Sequence, residues 1–458
     1  MADLQVDPRV DLKVEHLSFA VTVDSNRRVI RDAAIAIDGG LITHVDKTSA
    51  LADIAANRVI DASRMVAIPG MANGHLHISY AHAVRGTFPD DVENRLAQVF
   101  VMQTAMTPQE EYATTLLGLA EMLMTGTTSF VDPGTTRFPE ATMAAYEAAG
   151  CRVMIGEHVT DRENPLNLPV YETDEAVRRM TAAVEALHGR LDGRMTAWTM
   201  PFSMQVCSPE LLVAAKSIAD EHKTMMTLHH GGAMGKPGVT PTRALADMGV
   251  LGPNVVLSHC MGLADEEIEI IADAGASVVM CPSTVVKAAG GISEHGRLPE
   301  LLAAGVPVAL GTDSVNSSNF IDLVRSMHLA ATLYKDARAD TALMKPETAL
   351  ELATRTGAAA LGVGDDLGAI EVGRKADLVM FDTSRPQWRA LTDPVRNLVY
   401  SATGDSVDTV IVDGQIKIEG GRPNFVEDLW ALIDEVEQAG TRIRAATGID
   451  HPSAWPPT

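Results

Sequence analysis

The chain has 458 residues, of which 46% are hydrophobic and 21% are charged, and its net charge is −23. This composition is that of a globular protein with a large core and more than one folding unit. The excess of acidic residues argues against a nucleic-acid partner, because phosphate binding requires clustered lysine and arginine.

Targeting and crosslinking signals are absent from the sequence. The four cysteines are widely spaced and form no Cys-x-x-Cys pair, so we expect buried, reduced thiols. The segment after Met1 lacks the basic start and apolar run of a signal peptide. No stretch of about 18 uninterrupted apolar residues occurs, which argues against a membrane span. These observations favour a cytoplasmic protein without a membrane partner.

Both ends of the chain carry strand and turn signals. Residues 35–42 contain an Asp-Gly-Gly turn between apolar runs, and residues 407–418 contain an Asp-Gly turn followed by an alternating strand. Residues 376–382 supply another strand. Neither end alone has enough strands for a stable two-layer core. We therefore predict one small composite β-sandwich built from residues 1–64 and 369–425.

The central part, residues 65–368, alternates apolar runs with helical segments. Thr107 and Glu110 form a capping-box pattern around Pro108, which predicts the start of a helix. Eight apolar runs predict strands at residues 66–68, 128–131, 152–155, 195–200, 224–228, 255–258, 277–280 and 308–310. Eight strands, each followed by a helix, predict an α/β fold of the (β/α)8 TIM-barrel type. A doubly wound open sheet stays the alternative, because the number of strands does not prove closure.

Residues 426–458 are predicted to form a helical C-terminal tail. Apolar residues recur there at helical spacing, at Val426, Leu429, Trp430, Ile433 and Val436. Such a pattern is typical of a helix that packs on the domain or on another subunit. We expect a homo-oligomer.

Residue types that ligate metals follow four of the predicted barrel strands. They are His75 and His77, His229, His259 and Asp313. The carboxyl ends of the strands of a barrel face one mouth, so these distant segments can meet there. Residues i and i+2 of a strand share a face, so His75 and His77 can chelate the same ion. The pattern predicts one divalent metal held by His75, His77, His229 and Asp313.

The fifth predicted strand offers two adjacent histidines, His229 and His230. Their side chains point to opposite faces of a strand, so only one of them can be an inward ligand. The spacing from the helix start at Ser208 favours His229, and His230 stays open as the alternative ligand or as a substrate contact.

Two residues are candidates for catalysis. Asp313 follows Gly311, where the backbone can approach closely, and its carboxylate can act as a general base on a water molecule at the metal. His259 is expected beside the metal, positioning a substrate oxygen or polarising a carbonyl, with a direct ligand role as the less favoured alternative. Mixed imidazole and carboxylate ligands favour zinc, with iron, cobalt and manganese as alternatives.

At these residues the chain resembles the amidohydrolase superfamily over nearly its full length. The resemblance rests on residues 69–77, Gly126-Thr127-Thr128, Gly311-Thr312-Asp313 and residues 373–378. It is greatest to the mononuclear branch of s-triazine hydrolases, adenosine-type deaminases, and phenylurea and molinate hydrolases. In that branch the residues matching His75, His77, His229 and Asp313 would hold one metal, with His259 beside it. The binuclear branch uses a carboxylated lysine on the fourth strand, and none occurs between Met195 and Cys207.

One departure from the family pattern bears on the substrate. Deaminases and triazine hydrolases of this branch carry a glutamate three residues after the fifth-strand histidine, where it protonates a ring nitrogen. Here that position is Gly232, or Ala233 if His230 is the ligand. The loss favours hydrolysis of an acyclic urea, amide or carbamate, with the phenylurea hydrolases, which degrade herbicides, as the closest match.

The expected substrate is a small, neutral, apolar molecule such as an N-aryl urea. Met204 and Met234 follow two of the strands and are predicted substrate contacts, since flexible thioethers suit an apolar ligand. The alternative is an aminohydrolase acting on a heteroaromatic ring, with Glu157, His158 or Asp161 replacing the missing glutamate. A metal-free scaffold protein is a further alternative, which the intact ligand set disfavours.

Overall fold

A computed structural model describes residues 9–231 and 241–455. Within these residues the strands are β1 (Val10–Val21), β2 (Val29–Asp38), β3 (Leu41–Lys47), β4 (Ala56–Asp61), β5 (Met65–Pro69), β6 (Met71–Asn73), β7 (Thr127–Asp132), β8 (Arg152–Ile155), β9 (His158–Val159), β10 (Met195–Ala197), β11 (Met200–Pro201), β12 (Met226–His230), β13 (Val255–His259), β14 (Ser277–Met280), β15 (Val308–Leu310), β16 (Leu378–Asp382), β17 (Val407–Val412), β18 (Gln415–Glu419) and β19 (Arg422–Pro423).

The α-helices of the same residues are α1 (Arg95–Thr104), α2 (Pro108–Met124), α3 (Pro139–Ala149), α4 (Thr173–Leu187), α5 (Pro209–Glu221), α6 (Thr242–Asp247), α7 (Asp265–Ala274), α8 (Pro282–Lys287), α9 (Ile292–His295), α10 (Leu298–Ala303), α11 (Val315–Ser318), α12 (Leu323–Arg338), α13 (Pro346–Ala353), α14 (Arg355–Ala360), α15 (Pro394–Tyr400) and α16 (Leu429–Thr447). Short 3-10 helices lie at Thr48–Leu51, His82–Val84, Pro386–Trp388 and Gly404–Ser406. The capping box at Thr107 and Glu110 is present as predicted. None of the described helices is both long and apolar enough to span a bilayer.

A nine-stranded sheet is built from both ends of the chain. Its order is β19-β18-β17-β16-β5-β1-β2-β3, with β4 beside β1. The inward residues of these strands, among them Val14, Ile35, Leu378 and Ile411, form a hydrophobic core separate from that of the barrel. The prediction that the two termini combine into one strand-rich unit is confirmed.

The central part is a closed parallel barrel. Its strands β6, β7, β8 and β10 pair in one arc, and β12 to β15 pair in another. The amide of Thr227 donates to the carbonyl of Thr199 at 3.0 Å, which joins the two arcs after β10. On the other side, the amide of Gly74 donates to the carbonyl of Leu310 at 2.8 Å. The ring is therefore complete, and the barrel prediction holds over the open-sheet alternative.

The predicted first barrel strand is wrong. Val66, Ala67 and Ile68 lie in β5, which pairs with β1 and β16 of the terminal sheet. The barrel begins after Gly70, at β6, which pairs with β7. Both strands are largely buried, and a short apolar run such as residues 66–68 does not indicate the sheet to which it belongs.

The helix predicted in the C-terminal tail is confirmed. This helix is α16. Its N-cap is Asp428, whose side chain accepts a hydrogen bond from the amide of Ala431. Leu432, Val436 and Ile443 are buried against the main core, whereas Trp430 lies on the exposed face.

A buried ion pair connects the barrel to the terminal sheet. Arg152, at the start of β8, donates two hydrogen bonds of 3.1 Å to the carboxylate of Asp377. The amide of Asp413 also donates to Asp377, at 2.8 Å. The exposed fractions of the Arg152 and Asp377 side chains are 10% and 3%. Breaking such a pair leaves an uncompensated charge in the interior.

We therefore expect Asp377→Ala to lower the free energy of unfolding by about 3 kcal/mol, measured by urea denaturation. The control is Glu175→Ala, which removes a solvent-exposed partner of Arg178 and should change it by less than about 1 kcal/mol. Equal effects of the two substitutions would show that the buried pair does not hold the two units together.

Candidate metal centre

His75 and His77 follow β6, after Gly74. The amide of Leu76, between them, donates to the carbonyl of Val131 at 2.9 Å. The amide of Asp313 donates to the carbonyl of His75, also at 2.9 Å. The segment is thus held between the second and eighth barrel strands, with both histidine side chains on one side, as the i, i+2 spacing predicts.

Four imidazole rings meet at this mouth of the barrel. The ring centroid of His75 lies 4.8 Å from those of His77 and His229 and 5.0 Å from that of His259. Asp313 joins them, with its Oδ1 atom 4.0 Å from Nε2 of both His75 and His77. Two triplets could hold one metal ion: His75, His77 and His229, and His75, His259 and Asp313. The five residues predicted from the sequence therefore lie together.

In each of the three histidines proposed as ligands, His75, His77 and His229, the Nδ1 atom takes part in a hydrogen bond. Nδ1 of His77 hydrogen-bonds Oγ1 of Thr135 at 2.8 Å, and Nδ1 of His75 hydrogen-bonds Oγ of Ser258 at 3.1 Å. Nδ1 of His229 faces the carbonyl of Phe202 at 3.0 Å, so this nitrogen carries the hydrogen and donates it. The lone pair of His229 is therefore on Nε2, which is the arrangement found in metal-ligating histidines.

A metal fits this donor set. Nε2 of His75 is buried and has no hydrogen-bond partner among the described residues. An unsatisfied buried nitrogen is costly, because it has lost its contacts with water. A divalent cation beside Nε2 of His75 would satisfy it. Neutral imidazoles with one carboxylate are a ligand set that zinc and similar cations accept.

Burial keeps the imidazoles neutral. It lowers the pKa of His77 to about 4, with Asp313 acting in the opposite direction. Burial lowers the pKa of His75 and His229 well below the ordinary value of 6.5, and neighbouring histidines lower it further. Burial also lowers the pKa of His259. Neutral nitrogens are the form that binds a cation, so this site is ready for a metal at neutral pH.

Asp313 lies at the close approach of the first and last barrel strands. A Cβ atom on Gly311 would come within 2.8 Å of Sγ of Cys281 and 3.2 Å of Cβ of His75, so only glycine fits there. The amide of Ser314 donates to Oδ1 of Asp313 at 2.7 Å. The carboxylate is thereby oriented toward the histidines.

The structure separates the two adjacent histidines of β12. His229 lies in the cluster, whereas Nε2 of His230 hydrogen-bonds Oγ1 of Thr242 in α6 at 2.8 Å. The geometry favours His229 as the ligand. Met204 is half-buried against the main core, and Met234, like Gly232 and Ala233, lies outside the described residues. The roles of Met204, Met234 and His230 as substrate contacts stay predictions.

Three residues that orient the histidines have no sequence signal. Thr135, Ser258 and the carbonyl of Phe202 are common groups that no spacing distinguishes. The loop that carries Thr135 is held by Glu111, whose buried carboxylate accepts hydrogen bonds from the amides of Arg137 and Phe138. The only sequence signal for Glu111 is that a charged residue occupies a position where the helical pattern of α2 predicts an apolar one.

The fold and the site define a metal-dependent hydrolase built on a TIM-like barrel. The chain belongs to the amidohydrolase family, whose pattern matches residues 66–417. It is an enzyme that acts on carbon–nitrogen bonds other than peptide bonds.

The similar proteins are deaminases and triazine hydrolases. A 5-methylthioadenosine/S-adenosylhomocysteine deaminase of Syntrophobacter fumaroxidans is 32% identical over 90% of this chain and 94% of its own length. A 5'-deoxyadenosine deaminase of Methanothermobacter thermautotrophicus is 32% identical over 88% of this chain and 93% of its own.

Solved structures similar to this chain include a deaminase and a chlorohydrolase. An adenosine deaminase of Xanthomonas campestris with bound zinc has a TM-score of 0.86 and 27% identity, covering 96% of this chain and 100% of its own. An atrazine chlorohydrolase mutant of Arthrobacter aurescens, with zinc and atraton, has a TM-score of 0.83 and 25% identity, covering 94% and 100%.

The adjacent histidines provide a matched test of the metal centre. We expect His229→Ala to reduce zinc retained after dialysis from about one ion per chain to below about 0.1, because it removes an inward nitrogen. His230→Ala should retain the metal, since its side chain contacts Thr242 instead. Elemental analysis of the dialysed proteins measures both. Metal loss in the His230 variant with retention in the His229 variant would reverse the assignment.

Proposed function

We propose that this enzyme is an aminohydrolase that removes an amino group from the heteroaromatic ring of a purine nucleoside-like molecule. The observation that carries the proposal is the similarity, over about nine-tenths of the chain, to deaminases of adenosine-type compounds. The zinc in the adenosine deaminase neighbour supports zinc as the metal. The proposed ligands are His75, His77, His229 and Asp313.

We propose a role for each polar group of the cluster. A divalent cation bound there would supply Lewis-acid activation of a water molecule. The Asp313 carboxylate, within 4.0 Å of two of the proposed ligands, accepts the proton of the attacking water and passes it to the departing amine. His259, whose buried Nδ1 atom has no hydrogen-bond partner within residues 9–231 and 241–455, positions the oxygen that adds to the substrate carbon.

The hydrogen-bond donor to the ring nitrogen has to come from elsewhere, because position 232 is glycine. Of the three replacements suggested by the sequence, Asp161 accepts hydrogen bonds from Ser208 and Thr173. Glu157 is paired with Arg179. The ring of His158 lies 5.3 Å from that of His229, and its buried Nδ1 atom has no partner in the part of the chain that the structure describes. We assign the hydrogen bond to the ring nitrogen to His158, because burial lowers its pKa well below the ordinary value and its neutral imidazole can donate this bond without losing its proton.

A second candidate function is hydrolysis of an acyclic urea, amide or carbamate, such as an N-aryl urea. Gly232 favours it, because a carbonyl substrate needs no proton donor at a ring nitrogen. His259 would then face the carbonyl oxygen, and Asp313 would deliver the proton to the leaving nitrogen.

A substrate panel distinguishes the two functions. The zinc-loaded enzyme should release ammonia from adenosine-like nucleosides, measured by a coupled ammonia assay. It should release little aniline from N-aryl ureas. Asp313→Asn should reduce turnover at least about a thousandfold while the fold persists by circular dichroism, since the base is lost. Aniline release without ammonia release would replace the proposal by the second candidate.

His158→Phe tests the assigned hydrogen bond. It keeps an aromatic ring against Phe202 but removes the donor, so we expect kcat for ring deamination to fall at least about a hundredfold. Metal content should stay near that of the unaltered enzyme, because His158 is outside the proposed ligand set. Unchanged kcat in this variant would show that another group hydrogen-bonds the ring nitrogen.

A further inference from the structure

Glu111 is a buried carboxylate outside the cluster, and the proposed reaction does not use it. It lies in the first turn of α2, and its exposed fraction is 0%. Its carboxylate accepts hydrogen bonds from the hydroxyls of Thr136 and Thr142 and from the amides of Arg137 and Phe138. These partners are hydroxyls and backbone amides, none of which carries a charge. A carboxylate buried without a cationic partner costs free energy, so its position calls for an explanation.

One part of the explanation is local. The N-cap of α3 is Phe138, which has no side-chain acceptor for the first amides of the helix. Oε1 of Glu111 lies 3.0 Å from the amide nitrogen of Arg137 and 3.2 Å from that of Phe138. A negative charge is favourable at this end of a helix, because the amide dipoles point their positive ends toward it. Helix α2 thus supplies the cap that α3 lacks.

The loop held by Glu111 contacts the metal-binding segment twice. This loop, residues 133–138, joins β7 to α3. Oγ1 of Thr135 hydrogen-bonds Nδ1 of His77 at 2.8 Å, and the carbonyl of Thr135 accepts a hydrogen bond from Oγ of Ser79 at 3.3 Å. With Nδ1 engaged in this way, the imidazole of His77 presents Nε2 in a fixed direction.

Thr135 is held from both sides of the loop. Before it, the amide of Gly134 donates to Oδ1 of Asp132 at 2.9 Å. After it, the hydroxyl of Thr136 and the next two amides all donate to Glu111. Loss of the Glu111 carboxylate would therefore release the second half of the loop. Groups of a functional site have to stay within about 0.5 Å of their productive geometry, so a small shift of Thr135 is enough to matter.

We propose that Glu111 is a positioning residue of the metal centre, which fixes the imidazole of His77 through Thr135 and thereby raises the affinity of the site for its metal. The proposal rests on the ligand set proposed above, and it is independent of the substrate. The coupling is reciprocal, as thermodynamic linkage requires. A cation held by His77 therefore stabilises the loop that Glu111 anchors.

The dissociation constant of zinc, measured by competition with a chromogenic chelator, tests this role. Glu111→Leu removes the acceptor oxygens at similar size, so we expect the constant to rise at least about tenfold, as for other groups that orient metal ligands. Glu111→Gln keeps one acceptor oxygen and should stay within about threefold of the unaltered protein.

Asp377→Ala is the matched control for loss of stability. It removes another buried carboxylate, which binds Arg152 at the start of β8 and therefore at the end of the barrel opposite the cluster. Because the two sites are distant, it should leave the dissociation constant of zinc within about threefold. An increase equal to that of Glu111→Leu would show that general destabilisation explains both effects, and the proposal would fail.

A double-mutant cycle shows whether Glu111 acts through Thr135. Thr135→Val replaces the hydroxyl by a methyl group of similar shape and should raise the dissociation constant of zinc at least about tenfold. Adding Glu111→Leu to Thr135→Val should change the constant by less than about threefold, because the connection to His77 is already broken. Independent effects that multiply in the double variant would overturn the proposal.

Hydrogen exchange separates positioning of His77 from simple capping of α3. In the unaltered protein, zinc should slow the exchange of the amides of Arg137 and Phe138, because the metal and the loop stabilise each other. In Thr135→Val, zinc should leave their exchange unchanged. If Glu111 only caps α3, these amides exchange at the same rate with and without zinc in the unaltered protein.

These measurements use no substrate, so their outcome is distinct from that of the deamination assay. If no nucleoside is deaminated, the predicted zinc affinities would still support the role of Glu111 and reject only the proposed reaction. An unchanged dissociation constant in Glu111→Leu would reject the role of Glu111. Absence of zinc binding to the unaltered protein, or full zinc affinity in His77→Ala, would reject the ligand set and the positioning role together.

Discussion

Closure of the barrel is the constraint on which the metal centre depends. The hydrogen bond from the amide of Gly74 to the carbonyl of Leu310 joins the first strand to the last. One residue further along, the amide of Asp313 donates to the carbonyl of His75. These two bonds bring a carboxylate and an imidazole together although they are more than 230 positions apart in the chain. Without closure, Asp313 would have no fixed place relative to the histidines.

Side-chain contacts reinforce the same joint. The amide nitrogen Nδ2 of Asn73 donates to Oγ1 of Thr312 at 2.8 Å, and its Oδ1 atom accepts hydrogen bonds from the amides of His75 and Thr312. A fully buried asparagine thus satisfies its polar groups by tying the two strand ends together. The cluster is therefore rigid before a metal binds, which lowers the entropy cost of forming the site.

The placement of polar groups in a dry interior explains both the stability cost and the chemistry of the site. Burying several imidazoles and a carboxylate costs free energy unless partners compensate them. Here Thr135, Ser258 and the carbonyl of Phe202 satisfy one nitrogen of each proposed ligand. The other nitrogen of His75 stays unsatisfied among the described residues. A cation bound at this position would satisfy it.

Much of the site could be predicted from the sequence, because metal-ligating residue types at strand ends are uncommon and have a fixed geometry. His75, His77, His259 and Asp313 meet as expected. His229 lies in the cluster with them, whereas His230 hydrogen-bonds Thr242. The assignment of Val66, Ala67 and Ile68 to the barrel failed, because apolar runs do not show which strand pairs with which. Phe202 acts through its backbone carbonyl, which every residue has, so no sequence pattern could reveal its role.

The function is less determined by the sequence than the site. Gly232 removes a group that deamination of a ring would use, while the similarity to deaminases extends over most of the chain. Both observations bear on the identity of the substrate, and neither bears on how the metal centre activates water. They leave the central claim, one cation held by three imidazoles and one carboxylate, independent of the substrate.

X-ray absorption at the zinc edge of the purified, zinc-loaded protein tests that claim most directly. The account predicts one zinc per chain with scattering from three imidazole nitrogens, at about 2.0–2.1 Å, and from oxygen ligands, with no sulfur. Two metals per chain, or sulfur scattering from Cys281 or Cys260, which lie buried near the cluster, would contradict it.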